Sequence, residues 1–227
     1  MMKALVVEIS FFEAFFKVHY TKGFRLTYPV PLPTTVAGIF GAFLGIDRDK
    51  LAREFSEMLF GAKLVNYDGM ISENATYLQY KAGGVTRGAA PLLIINNPTY
   101  LIAIASDEKK IGYVKERLKD SVEYLPYGGQ NDFFPKDWKI VGMKDITKNN
   151  EISNYAPQDW VKNPILENGS EIQILPVMHK ISQNPNFYFV VNGMLKLKEN
   201  ISCVEEEKIG LYELDKFQMR DKDGETN

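Results

Sequence analysis

Tyr28-Pro-Val-Pro-Leu-Pro-Thr-Thr-Val-Ala-Gly-Ile-Phe-Gly-Ala-Phe-Leu-Gly-Ile46 is the stretch around which the rest of the chain is arranged. Three alternate prolines hold an extended approach, because each fixes φ and restricts the residue before it. Thr34 then fits an N-cap, its hydroxyl accepting from the free N–H groups of the first turn. From Val36 the pattern is helical, with Val36, Ile39, Phe40, Phe43 and Leu44 on one face at i, i+3, i+4, i+7 and i+8. Gly38, Gly41 and Gly45 gather on the opposite face. Each glycine costs a helix roughly 1 kcal/mol relative to alanine, so a bare ridge of three implies that something lies close against it.

Working toward the N-terminus, Lys3–Ser10 alternates as a strand with Leu5, Val7 and Ile9 on one side. Phe11 to Arg25 is aromatic and basic and reads as a loop or irregular strand. Beyond the helix, Asp49–Phe60 predicts a second helix with Leu51, Phe55, Met58 and Leu59 as its apolar stripe, closed by Gly61. Ala62–Asn66 follows as a strand, and Asp68-Gly69 is a hairpin signal. Asn74–Lys81 and Ala89–Asn96 predict two arms of a projecting β-ribbon, with Ala82–Gly88 as a glycine-rich basic tip. Thr99–Ser106 reads as a buried strand, Asp107–Lys119 as a helix, and Val122–Leu125 and Trp138–Met143 as strands around a turn at Pro126–Asn131. From Lys148 the pattern is β-rich, clearest at Glu171–Leu175, Phe187–Asn192 and Ile209–Leu214. The last ten residues, 218–227, are polar and expected to be disordered.

This order matches the β-α-β-β-α-β succession of a ferredoxin-like sheet with a ribbon inserted. The expected fold class is therefore α+β. Residues 1–147 form the ferredoxin-like (RRM-like) domain, a thumb hairpin spans about 66–96, and 148–227 form a β-rich C-terminal extension.

Composition narrows the function. A chain of 227 residues with 45% hydrophobic and 25% charged residues is ordinary for a globular protein. One cysteine, Cys203, excludes an internal disulfide framework and suits a reducing cytoplasm. Glu8 and Glu13 interrupt the apolar N-terminus, against a signal peptide, and no apolar run reaches the ~20 residues of a membrane helix. The net charge is −2, yet no acid lies between Glu13 and Asp47, where Lys17, Lys22 and Arg25 occur, or between Glu73 and Asp107, where Lys81 and Arg87 occur. Two readings stay open for those gaps: a local positive surface, or buried apolar sequence.

No nucleotide-binding glycine loop, HExxH or CxxC is present, so no cofactor or metal is expected. The two histidines, His19 and His179, make a histidine-based metal cluster implausible. His19 and Tyr20 beside Lys17 and Lys22 form the one local set able to do metal-free acid–base chemistry on RNA. Nucleic-acid binding has more support: hydroxyls at Thr34 and Thr35 at a helix start suit phosphate, and a glycine face admits a backbone. Phe15, Phe16, Tyr20 and Tyr28 around Lys17, Lys22 and Arg25 supply stacking and charge. Against this stand protein packing over the glycine face and burial of Phe15 and Phe16 in a core.

The opening Lys3-Ala-Leu-Val-Val-Glu-Ile9, the Tyr28-Pro-Val-Pro-Leu-Pro-Thr-Thr35 stretch and the helix Ala37–Ile46 resemble the fifth family of CRISPR-associated (Cas) proteins, in the repeat-associated mysterious protein (RAMP) superfamily. Pro126-Tyr-Gly-Gly-Gln-Asn-Asp-Phe133 resembles a second, looser turn of that family, and the likeness covers about the first 145 residues. The resemblance implies an RRM-like domain with a thumb, in a type I Cascade complex, capping the 5′ end of the crRNA. It implies handle contacts from Tyr20, Lys22, Arg25, Thr34, Thr35 and Gly38, and thumb contacts from Lys81 and Arg87. Implied partners are the Cascade backbone and large subunits, with target DNA reached indirectly. One subtype of the family is itself a precursor-crRNA endoribonuclease using Tyr, Lys and His. The thumb region here has no histidine, which favours a non-cleaving subunit, of a subtype I-B-like system. The alternative is a metal-independent endoribonuclease working through His19 and Tyr20.

Overall fold

β1 (Met2–Phe11) is the axis of the main sheet, and its period-two pattern divides two cores. Leu5, Val7, Ile9 and Phe11 join the large core with the helices, while Ala4 and Val6 face a smaller one with Ala103, Ala105, Val204, Ile209 and Leu211. The computed structural model of the protein describes residues 2–21, 23–81 and 83–217; Lys22 and the expected disordered tail, 218–227, lie outside the described residues.

In chain order, β1 is followed by β2 (Glu13–Ala14), α1 (Pro33–Leu44) and α2 (Leu51–Glu54). β3 (Leu59–Asn66), β4 (Gly69–Lys81), β5 (Gly84–Asn96), β6 (Thr99–Asp107) and α3 (Glu108–Asp120) come next. β7 (Pro135–Ile152), β8 (Tyr155–Pro157), β9 (Val161–Pro176), β10 (Asn186–Val204), β11 (Ile209–Gly210) and β12 (Tyr212–Glu213) complete the chain. The main sheet runs β11-β10-β7-β1-β6-β3-β12, with β8 and β9 also paired to β10; every pairing is antiparallel. Because β11 and β12 are separated by Leu211 alone yet pair at opposite ends of this order, the sheet curls until its edges meet. The fold is mixed but sheet-rich, with α1 and α3 on one face.

Several local expectations change in the tertiary setting. The second helix stops at Glu54, because Glu57 adopts φ 64° and Leu59–Asn66 is drawn into pairing with β6. Phe55 and Met58 are still buried, as the stripe predicts. Gly61 closes no helix: it lies in β3, where an added Cβ would be 2.4 Å from the Gly210 carbonyl oxygen. Asp68-Gly69 makes no hairpin, since β3 pairs with β6 and β4 with β5; the Asp68 N–H donates to the Asn96 carbonyl as the chain passes from sheet to ribbon. Val122–Leu125 is no strand. The Glu123 N–H donates instead to the Phe43 carbonyl at the end of α1, and the Tyr124 N–H to that of Ala42, which also accepts from the Gly45 N–H.

β7 pairs with β1 through Asp145 and with β10 from Ile146, so position 147 falls inside a continuous strand. Tyr28 joins the C-terminal strands to the core: its hydroxyl donates to the Pro176 carbonyl at 2.7 Å and its ring stacks on Phe189 at 5.4 Å.

His179 serves the same lobe. Nε2 pairs with the Asn184 carbonyl at 3.0 Å, Nδ1 accepts from the Ile181 N–H at 3.2 Å, and the ring meets Phe187 edge-on. Burial lowers its pKa, against opposing pulls from Asn184 and Asp159. A histidine with a depressed folded pKa stabilises fully above its unfolded value and less as pH falls through the folded one. The melting-temperature advantage of wild type over His179→Gln should therefore narrow from pH 7.5 to pH 5 (about 6.5 being the unfolded value). A constant gap would mean that the imidazole does not titrate in this window.

Candidate nucleic-acid interface

The predicted glycine ridge of α1 resolves into three unlike positions. Gly45 (φ 70°) ends the helix: its N–H donates to Ala42 and that of Ile46 to Gly41, the paired bonds of a Schellman cap. Gly41 is buried beneath α2, and a Cβ there would be 2.4 Å from Leu51 Cδ2. Only Gly38 has open space, with nothing within 4 Å of an added Cβ. The cover on Gly41 and Gly45 comes from Leu51 and Glu123, not from the C-terminal strands.

The helix start also differs. Leu32 is the N-cap, Pro33 occupies the first position, and Thr34 lies inside the helix. Proline is pre-organised there and brings no N–H. The Thr35 and Val36 N–H groups both donate to the Leu32 carbonyl. Thr34 is left as the one early donor with no partner among the described residues. Thr34, Thr35 and Gly38 are half-buried together, forming a shallow stripe with two hydroxyls and a gap.

The second patch is the segment 17–25, folded back on itself and fastened to the ribbon. Lys17 bridges Thr27, and Phe16 N–H donates to the Thr27 hydroxyl at 2.9 Å. Arg25 pairs in parallel with Leu92: its N–H donates to the Pro91 carbonyl and its carbonyl accepts from Leu93, both at 2.9 Å. Its guanidinium lies 4.6 Å over the Tyr77 ring. The same ring lies against Gly88, the residue opposite Tyr77 in register, where a Cβ would be 2.6 Å from Cζ. Arg25 and Tyr77 thus form a stack beside Gly88, in which a cation is held against an aromatic face. Lys17, His19, Tyr20 and Phe24 are exposed around it, whereas Phe15 and Phe16 are core, as their burial alternative required. Burial holds the Tyr28 hydroxyl well above its ordinary pKa, with the His19 backbone opposing and Tyr20 reinforcing.

Neither the His19 ring nor the Tyr20 hydroxyl makes a hydrogen bond among the described residues. A working general base is normally oriented by a partner. Among the described residues no group of three His, Cys, Asp or Glu is placed to hold a metal ion, and no helix is long and apolar enough to cross a membrane.

The ribbon is longer than its sequence suggests. β4 and β5 pair without a register shift from Gly69↔Asn96 to Lys81↔Gly84. Residues 84–88 are therefore strand rather than a flexible tip, and Arg87 projects opposite Leu78 on the exposed face. Lys81 lies at the end of β4. The alternation of Asn74–Lys81 puts Tyr77 on one ribbon face with Gln79 and Lys81, but its role depends on register. An aromatic opposite a glycine is the signal that finds it once the two arms are aligned. Tyr127 and Phe134, in edge contact at 5.8 Å beside the Gly128-Gly129 turn, are further exposed aromatics that the sequence did not single out.

No family model and no curated protein matches the chain. Among solved structures it is similar to a chain from a CRISPR RNA-guided surveillance complex, with a TM-score of 0.51 and 14% identity over 86% of this chain and 91% of the other. It also aligns with a structure described as a Cas protein (TM-score 0.42, 14% identity, covering 85% and 95%). A third match is the type III-B Cmr-beta bound to cognate target RNA and AMPPnP (TM-score 0.36, 10% identity, covering 86% and 86%). The last two add no weight at those scores. The first shows that this chain has the fold of a protein from a CRISPR surveillance complex.

Proposed function

We propose that this chain is a non-catalytic, RNA-binding subunit of a type I CRISPR Cascade complex, of the fifth Cas family in the RAMP superfamily. It holds the 5′ handle of the crRNA in the cytoplasm, without a cofactor, and contributes to assembly with backbone and large subunits. Target DNA is engaged only through those partners. The carrying observation is the Arg25–Tyr77 stack, a cation and ring held by main-chain bonds between the 17–25 loop and the ribbon. Such a surface binds unpaired nucleotides by charge and stacking with no rearrangement. Support for a ferredoxin-like domain comes from the order β7-β1-β6-β3, with helices following β1 and β6. We assign it to residues 1–147, with the strands of 148–227 as an extension that shares β7.

The handle contacts in this reading are Tyr20, Lys22, Arg25, Thr34, Thr35 and Gly38, with Lys81 and Arg87 on the thumb. Gly38 gives a test with opposed outcomes. Gly38→Ala has room for its methyl group and should raise stability by about 0.5–1 kcal/mol in urea unfolding. If the handle lies on the open stripe, the same methyl should weaken binding of the RNA that copurifies with the protein. A stabilised variant with unchanged RNA affinity would move the handle off α1.

A further inference from the structure

β4 presents an unguarded strand edge. In the three-stranded sheet β2-β5-β4 it is an outer strand, and among the described residues no strand pairs with its other side. Its 13 residues pair with β5 without a bulge, contain no proline, and carry one charge, Glu73, before Lys81. Residues 71–74, 76 and 78–80 are exposed.

The other long edges are guarded. β5 is covered by β2 at Ile95–Asn96 and by Arg25 at Leu92 and carries Pro91, which among the described residues leaves only the short stretch 84–90, with two glycines and the charged Arg87, unpaired on that side. The outer edge of β9 is broken by Pro164, by an irregular excursion between Leu166 and Glu171 with Gly169 at φ 82°, and by Lys162, Glu167 and Glu171. β11 and β12 are two residues each. Bulges, prolines, charges and short length are how sheets avoid unwanted pairing. Among the described residues β4 is the longest continuous edge with so few of these devices, which marks it as an edge that is covered in the working state.

The chemistry of the edge identifies the occupant. In an antiparallel pair every second residue points both N–H and C=O away from its partner. Such a row, at the spacing of a strand, is matched along its whole length by another extended polypeptide, whose own N–H and C=O groups repeat at the same interval. Leu78, Tyr80 and Val85, exposed by 54%, 77% and 56%, share one ribbon face and would flank the side chains of an added strand. We propose that the outer edge of β4 accepts an extended strand from a neighbouring protein chain, adding a fourth strand to the ribbon sheet. The inference rests on the reading of this chain as an assembly subunit.

Amide hydrogen exchange tests it, comparing the free chain with the complex purified from source cells. In the free chain, alternate amides across 71–80 should exchange fast. In the complex those amides should slow by at least about tenfold and stay slow after ribonuclease treatment. Of Ala75→Pro and Thr76→Pro, the one at a fast-exchanging amide should lose incorporation into the complex while the amides facing β5 stay protected. Unchanged β4 exchange in a complex that carries RNA overturns the edge and leaves the subunit reading intact. Protection lost with ribonuclease assigns the cover to RNA, and β4 protection that appears with a doubled mass of the free chain assigns it to a second copy; either overturns the proposal. A chain that copurifies with neither RNA nor protein removes the subunit reading itself, and the proposal falls with it.

Discussion

Gly129→Ala should lower the free energy of unfolding by about 3 kcal/mol or more, the sum of a left-handed backbone penalty and overpacking. Gly129 has φ 98°, and a Cβ there would be 1.9 Å from the Phe15 carbonyl oxygen and 2.7 Å from its carbon. Those are main-chain atoms, so no side chain can swing aside to make room. The segment cannot back away cheaply either, because the Phe15 N–H donates to the Gly128 carbonyl at 2.7 Å and the Gly128 N–H to that of Phe133. Phe15 in turn packs with Leu92, Ile94 and Phe133 under the ribbon root, so a displaced turn would loosen the ribbon as well. With typical domains stable by about 5–15 kcal/mol, the loss is large enough to shift a urea midpoint plainly. Gly23→Ala, with nothing within 4 Å of its Cβ, is the matched control and should stay close to wild type. A Gly129→Ala protein that unfolds at the wild-type midpoint would mean that the turn is not clasped to Phe15.

Arg25→Ala should weaken binding of the copurifying RNA by roughly 1–3 kcal/mol and reduce the salt slope by about one counterion. The main-chain bonds of Arg25 to Pro91 and Leu93 do not depend on its side chain, so the loop should stay attached to β5. What is lost is the guanidinium over Tyr77. Arg25→Lys separates the two contributions. It keeps the charge and hence the slope, but lysine has no planar face to stack, so affinity should remain below wild type. Tyr77→Phe keeps the ring and should bind as wild type. Titrations across a salt series decide the matter: unchanged affinity and slope for Arg25→Ala would remove the stack from the interface.

The sequence carried the local structure well where a periodic pattern agreed with its surroundings. β1, the ribbon arms, β6 and α3 all appear where alternation or helical spacing places them, and Asp107 caps α3 by accepting from the Lys110 N–H. It misled where a local signal met a stronger distant partner. The Asp49–Phe60 stripe is real as burial but not as helix, because the backbone of Leu59–Phe60 is recruited by β6 and β12. Thr34 is a good cap by composition, yet Pro33 fits the first helical position and moves the start two residues earlier.

The site residues divide in the same way. That Arg25, Tyr20 and Lys17 form a basic aromatic loop is visible in their order along the chain. That Arg25 lies on Tyr77, 52 positions away, requires the ribbon register and the parallel bridge to Leu92.

By itself, the sequence determined β1, α1, β6, α3 and the two arms of a ribbon, because periodicity and turn chemistry act over a few residues. Only the tertiary structure decided what each glycine is for. Gly41 receives Leu51, Gly61 receives the Gly210 carbonyl, Gly129 receives Phe15, and Gly38 receives nothing from the described residues. A missing Cβ is a vacancy whose occupant comes from elsewhere in the fold. The sequence marks the vacancy, and long-range packing names the neighbour.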